Sequence, residues 1–305
     1  MDGKSIKKRI NKKSAIFYYC MMAYPILQFC IFYIGVNFNS ILLSFQEYDA
    51  LTMKTTWTWD TIGKAFDNLV SSANLLFALK NSLIGWVVGF AISLPLALFF
   101  SYYIYKQFIM HKFFRIMLFL PSIISSIVMV AIFNFFVNEA IPEIALKFFN
   151  KRMGGLITKV EGDFTIILIY NVLIGFGTNV LMYTNSMKEI SPDLVEAAHL
   201  DGATGIKEFL YITFPGVFPT ISTFIIVGVA GIFTNQLNLY SFYGNEAIPQ
   251  LQTYGYFLYK SVQIAGTNRA EYPLISAYGL LMTIVAIPLT FLIKTLLNKF
   301  GPKED

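Results

Sequence analysis

The sequence predicts an all-α fold: a polytopic membrane helix bundle with six transmembrane helices and both termini cytoplasmic. Three observations predict it. Of 305 residues, 56% are hydrophobic and only 13% charged, a balance that a soluble domain with an ordinary polar surface does not carry. Six apolar runs are each long enough to cross a hydrocarbon core of ~30 Å, which takes about 20 helical residues. Basic residues gather on the segments that six crossings would place on one side.

The elements follow in order. Residues 1–14 form a cytoplasmic basic tail with Lys4, Lys7, Lys8, Arg9, Lys12 and Lys13. The apolar stretch after it exceeds the roughly 7–15 residues of a secretory signal core and lacks a small-x-small cleavage site, so 15–44 reads as an uncleaved first span. An extracellular segment over 45–78 carries Trp57 and Trp59. Its weakly amphipathic stretch, 61–79, suits either a surface helix or a cover for the outer mouth. The other spans fall within 79–298, at about 80–105, 114–137, 164–186, 219–242 and 272–296, leaving a cytoplasmic tail over 299–305. None has the dyad alternation of barrel strands, and unpaired backbone is costly in hydrocarbon, so all are helices. Pro25, Pro95, Pro121 and Pro288 mark kinks. Gly85 and Gly89 have small-xxx-small spacing, which fits close helix approach or generic bundle packing.

Charge supports this topology. The inside segments (1–14, 106–115, 187–218 and 294–305) hold 14 lysines and arginines against 8 acids, while the remainder holds 9 against 10. The asymmetry has the sign expected for cytoplasmic termini in a multi-pass membrane protein surrounded by lipid. The same reading accounts for the pI near 9.0 without a nucleic-acid partner. Cys20 and Cys30 both lie in the first apolar run, too few for a disulfide framework or a Cys-rich metal site. No metal site is expected: His111 and His199 lie on inside loops without paired ligands and read as surface histidines. No nucleophile, base and orienter group together, so no catalytic residue is expected and the chain is not read as an enzyme.

The loop between the fourth and fifth spans, 187–218, is the most informative segment. Ser191 suits an N-cap, Pro192 the first helical position and Asp193 the first turn. Gly202 stops that helix, Thr204 can cap a second over about 205–211, and Pro215 closes the unit before the next span. Ala197 and Ala198 give a low-relief surface beside Glu196, while Leu194, Val195 and Leu200 add apolar area. Such a projection fits a docking ridge and a plain connecting loop equally well.

The spacing Glu196-Ala197-Ala198, three residues, Gly202, nine residues, then Ile212-Thr213-Phe214-Pro215 resembles the EAA loop of permease subunits in bacterial binding-protein-dependent ABC importers. Phe214 replaces the usual leucine. Ser44-Phe45, Asn81-Ser82-Leu83, Arg115 with Pro121, and Asp201-Gly202-Ala203 are similar to the carbohydrate-uptake branch, in particular to the larger permease type of maltose and glycerol-3-phosphate importers. The Gly-Gly-Pro common after the fifth span is absent, and Gly244 to Pro249 reads Gly-Asn-Glu-Ala-Ile-Pro. The resemblance implies that the loop is a coupling helix seated on a cytoplasmic ATPase. Glu196 would make a polar contact there, Ala197 and Ala198 would allow close approach, Gly202 would bend, and Asp201 and Pro215 complete the motif. Two ATPase copies, a second homologous permease and an extracellular solute-binding protein are the implied partners. Gly202-Ala203-Thr204-Gly205-Ile206-Lys207 lacks the phosphate-binding G-x-x-x-x-G-K-[ST] pattern, so no cofactor is expected in this chain and ATP would bind the partner subunits.

Polar residues within spans are expensive and often line a path. Asn171 and Asn179 in the fourth span and Asn235, Asn238 and Tyr240 in the fifth are the candidates. Asn235 and Asn238 would share a helical face at i, i+3, with Phe242 one turn on. Amides and aromatic faces together suit a neutral polyhydroxylated solute, although amides also bond helices to one another. An ion-coupled secondary transporter would need intramembrane charges or an inverted repeat, and the sequence has neither. An ABC permease for a non-sugar solute is the other alternative.

Overall fold

The computed structural model describes residues 12–49, 54–157 and 164–302. Most of the tail expected over 1–14, and the end of the tail over 299–305, lie outside the described residues. The chain divides into two compact units, Met1–Ala65 with Thr267–Leu280 and Phe66–Gly266 with Leu281–Asp305. Among the described residues, six helical segments are long and apolar enough to cross a membrane: Ala15–Leu43, Ala73–Tyr105, Ser126–Phe149, Phe164–Lys188, Ile206–Ala230 and Tyr272–Phe300.

In the first unit, α1 (Lys12–Gln28) passes through a π-helical stretch, Phe29–Gly35, into α2 (Val36–Leu43). Pro25 is held within α1. The large side chains from Ile16 to Phe38 are exposed, as lipid-facing side chains would be in a chain taken alone. A hairpin then pairs β1 (Gln46–Asp49) antiparallel with β2 (Lys54–Trp57), Gln46 opposite Trp57. Strands were not expected over 45–78. Thr61 donates to the Gln46 carbonyl at 2.9 Å, Phe45 meets Trp59 edge-on, and Lys64 pairs with Glu47 at 2.7 Å. These contacts dock α3 (Asp60–Ser71) on the hairpin.

In the second unit, α4 (Ala73–Tyr105) is one helix of 33 residues that starts seven residues before the expected span. At 1.5 Å per residue it is about 50 Å long, more than a bilayer core needs. It packs along α8 (Phe164–Lys188). Ala97, Leu98 and Ile104 meet Val180, Tyr183 and Met187 there, joined by Val217 and Ile221. Ser101, fully buried, donates to the Val180 carbonyl at 3.0 Å, so a small polar residue allows the approach and supplies a bond across it.

Two spans depart from the expected ranges. The run 114–137 is not one helix: α5 (His111–Ile123) ends in extended backbone at Ile124, and α6 (Ser126–Phe135) leads through a π turn, Phe136–Ala140, into α7 (Ile141–Phe149). Pro121 offers no N–H and weakens the last turn of α5. Hydropathy does not register such a break. In the fifth span, α10 (Ile206–Glu208) continues through a π turn, Phe209–Thr213, into α11 (Phe214–Ala230). Pro215 therefore lies at the start of α11 within a continuous helical run and closes nothing. The helix ends at Ala230, well before residue 242.

Candidate functional site

The projection is built from α9 (Pro192–Leu200), two glycines and α10. Ser191 occupies the N-cap position, but its side chain makes no capping bond. Gly202 and Gly205 both have positive φ, 79° and 60°, and turn the chain between the helices. Gly205, not Thr204, holds the N-cap position of α10. Glu196, Ala197, Asp201 and Gly202 are exposed, whereas Ala198 faces inward and Pro215 is half-buried in α11. Leu200 is 90% exposed and Ile206 78%. An isolated loop would not hold such apolar area toward water, so the projection presents a face suited to cover.

Behind that face lies a group that no sequence signal marked. Glu208 is 1% exposed, and its Oε1 lies 2.6 Å from Lys106 Nζ while Oε2 lies 2.9 Å from His199 Nε2. Tyr102 donates to the Gly205 carbonyl at 3.1 Å. His199, expected as a solvated histidine, is thus a partner of a buried carboxylate. Lys106 and Glu208 are 102 residues apart, and only the fold joins them.

The second place is a cavity of about 330 Å³ among α4, α8, α11 and the segment after it. Asn171, Asn179 and Asn235 line it together with Trp86 and Phe90, whose rings stack 5.7 Å apart. A neighbouring cavity of about 370 Å³ shares Trp86 and Asn235. Among the described residues, neither is lined by an Asp, Glu, Lys, Arg or His. Gly89 leaves room in the wall, since a Cβ at that position would meet nothing within 4 Å, while Gly85 is covered by the Leu237 side chain. The pair thus accommodates a loop residue and a void instead of a second helix.

The fifth-span polar residues do not share a helical face. Residues 231–238 leave the helix, and Leu237 and Asn238 adopt left-handed backbone with φ 48° and 57° before α12 (Leu239–Tyr243). The i, i+3 face of Asn235 and Asn238 is absent because the helix has already ended. Asn171 donates to the carbonyls of Ile167 and Leu237 and accepts from Asn238, all within 2.9 Å. Its amide is spent on the protein. Asn235 accepts from Leu237 N–H at 2.9 Å. The Asn179 side chain has no hydrogen-bond partner among the described residues and is the most available amide on the cavity. Asn238 and Tyr240 do not line it, and Tyr240 packs edge-on against Tyr259 at 4.9 Å. Trp86 and Phe90, one turn apart on α4, could have been found as an aromatic i, i+4 pair.

A family model described as "Binding-protein-dependent transport system inner membrane component" matches residues 89–304. The chain is 27% identical over 193 residues to "Probable ABC transporter permease protein MG188 homolog" of Mycoplasma pneumoniae, covering 60% of this chain and 57% of that one. It is 22% identical over 288 residues to "Polygalacturonan/rhamnogalacturonan transport system permease protein YteP" of Bacillus subtilis, covering 90% and 87%. To "Arabinooligosaccharides transport system permease protein AraP" of the same organism it is 25% identical over 242 residues, covering 73% and 70%. The match spans less than two thirds of the mycoplasma relatives, 57% and 65% of their lengths. In fold it is similar to a chain of a bacterial ABC transporter involved in the import of the acidic polysaccharide alginate, with TM-score 0.72, 20% identity and coverage of 94% and 97%.

Proposed function

Because the chain belongs to the family of binding-protein-dependent transport system inner membrane components, we propose that it is the permease subunit of an ATP-driven carbohydrate importer. The observation that carries the reading is the projection between the fourth and fifth spans, where Glu196 and Ala197 lie exposed beside Leu200. This face receives a separate ATPase subunit, with Glu196 as a polar contact, Ala197 at closest approach and the turn at Asp201-Gly202 behind it. Two ATPase copies act on this chain and a second permease, and an extracellular binding protein delivers the solute. Both termini are cytoplasmic, and ATP binds only the partner subunits.

The solute passes the cavity beneath Trp86 and Phe90. Aromatic faces stack on sugar rings while amides exchange hydrogen bonds with hydroxyls, and the absence of charged side chains from the lining favours a neutral carbohydrate over an ion-coupled mechanism. Arabinooligosaccharides, the neutral carbohydrates named for one relative, are the first solutes to try.

Proteoliposomes holding the full assembly test this. Uptake of an oligosaccharide should require ATP and binding protein, and Glu196→Ala should lower uptake about tenfold, the loss of one good interfacial contact, with membrane insertion unchanged. Uptake driven by an ion gradient without any ATPase, or wild-type uptake by the Glu196 variant, would overturn the reading.

A further inference from the structure

We infer that Glu208 is a positioning residue that locks the projection to the inner end of α4, so that a push on α9 moves the spans together instead of bending the loop. The inference deepens the importer reading and rests on it.

The geometry is specific. Between α9 and α10 the chain turns at two glycines of positive φ, the backbone type with the least intrinsic resistance to reorientation. Left alone, that bend would absorb displacement. Glu208 spans it: Oε2 bonds His199 on the α9 side at 2.9 Å, while Glu208 itself sits on the α10 side, at the root of the continuous helical run to Ala230. Its other oxygen pairs with Lys106 just beyond α4 at 2.6 Å. One carboxylate therefore joins three elements. Lys106 is further placed over the rings of Tyr102 and Tyr105, 5.8 and 5.3 Å from their centroids, and Tyr102 holds the Gly205 carbonyl within the bend.

Burial makes the joint stiff. With the Glu208 side chain 2% exposed and that of Lys106 22%, removing Lys106 strands the carboxylate out of water and removing Glu208 leaves the ammonium short of partners, which is costlier than losing a surface pair. Immediately after Glu208 the helix makes its π turn, Phe209–Thr213, an irregularity often found where helices yield in function. A fixed joint next to a yielding turn directs motion into α11. His199, 44% exposed, contributes the weaker arm.

Two measurements on Glu208→Gln test the inference. Hydrogen–deuterium exchange on the purified chain should accelerate at least about tenfold in 192–208 with little change in α8, as expected when one member of a buried pair is removed. In the full assembly the solute imported per ATP hydrolysed should fall several-fold while ATPase binding is retained. His199→Ala, which keeps the Lys106 pair and disturbs folding less, should show the same pattern at smaller size, and Lys106→Arg should keep near-wild-type behaviour in both. Unchanged exchange in Glu208→Gln overturns the joint whatever the transport result. Faster exchange with an unchanged solute-to-ATP ratio overturns its role in transmission. A wild-type assembly without ATP-driven uptake overturns the importer reading and the transmission role with it, and the exchange arm still decides the joint.

Discussion

At Gly255 the first turn of α13 (Tyr254–Ala265) lies against the backbone of Thr234, and a Cβ there would overlap the Thr234 carbonyl. Alanine gains up to about 1 kcal/mol over glycine inside a helix, but a clash with fixed backbone costs about 1–3 kcal/mol. Gly255→Ala is therefore expected to lower the thermal midpoint in detergent, whereas Gly89→Ala, with open space around it, should leave it equal or slightly raised. Equal midpoints for the two variants would contradict the close approach. Gly177 is a similar case, its missing Cβ leaving room for the Leu118 carbonyl where α5 crosses α8. Neither glycine belongs to a spaced motif, so neither was legible in the sequence. The motif that was legible, Gly85 and Gly89, faces Leu237 and a cavity. Asn81 and Ser82, which the sequence marks only by family resemblance, hold a loop: Asn81 donates to the carbonyls of Gln250 and Gln252, and Ser82 accepts from Tyr254 N–H.

Helix ends are settled by side-chain geometry that residue type only suggests. Ser191 has the right identity for a cap and makes no capping bond. Thr253, unmarked in sequence, accepts from Tyr256 N–H at 3.3 Å and donates to the Asn235 carbonyl at 2.9 Å, tying the start of α13 to the segment after α11. Thr253→Val should therefore destabilise the chain by about 1–2 kcal/mol, the loss of a cap and of a buried bond, while Ser191→Ala should stay within about 0.5 kcal/mol. Thermal unfolding of the two variants checks this, and the reverse order would refute it. The same limit explains the third and fifth spans. Hydropathy registered their apolar residues but not the extended backbone at Ile124 or the left-handed turn at Leu237 and Asn238.

For the whole molecule the topology is open to a direct test. In a background with Cys20 and Cys30 replaced by serine, Leu200→Cys should react with an impermeant maleimide only from the cytoplasmic side and Asn268→Cys only from the outside. Labelling of both from one side would overturn the six-span assignment with cytoplasmic termini. Sequence alone determined that this is a six-span membrane chain, because apolar length and the absence of strand alternation are sums over many residues and tolerate local error. It also carried the family resemblance, since the spacing from Glu196 to Gly202 lies within one short stretch of chain. What only the tertiary structure decided were the contacts of residues far apart in sequence: Trp86 and Phe90 beside Asn179, and Lys106 on Glu208. Local pattern carries no record of such pairs. They are set by where helices break and cross, and there one glycine or one buried carboxylate outweighs the hydropathy of a whole span.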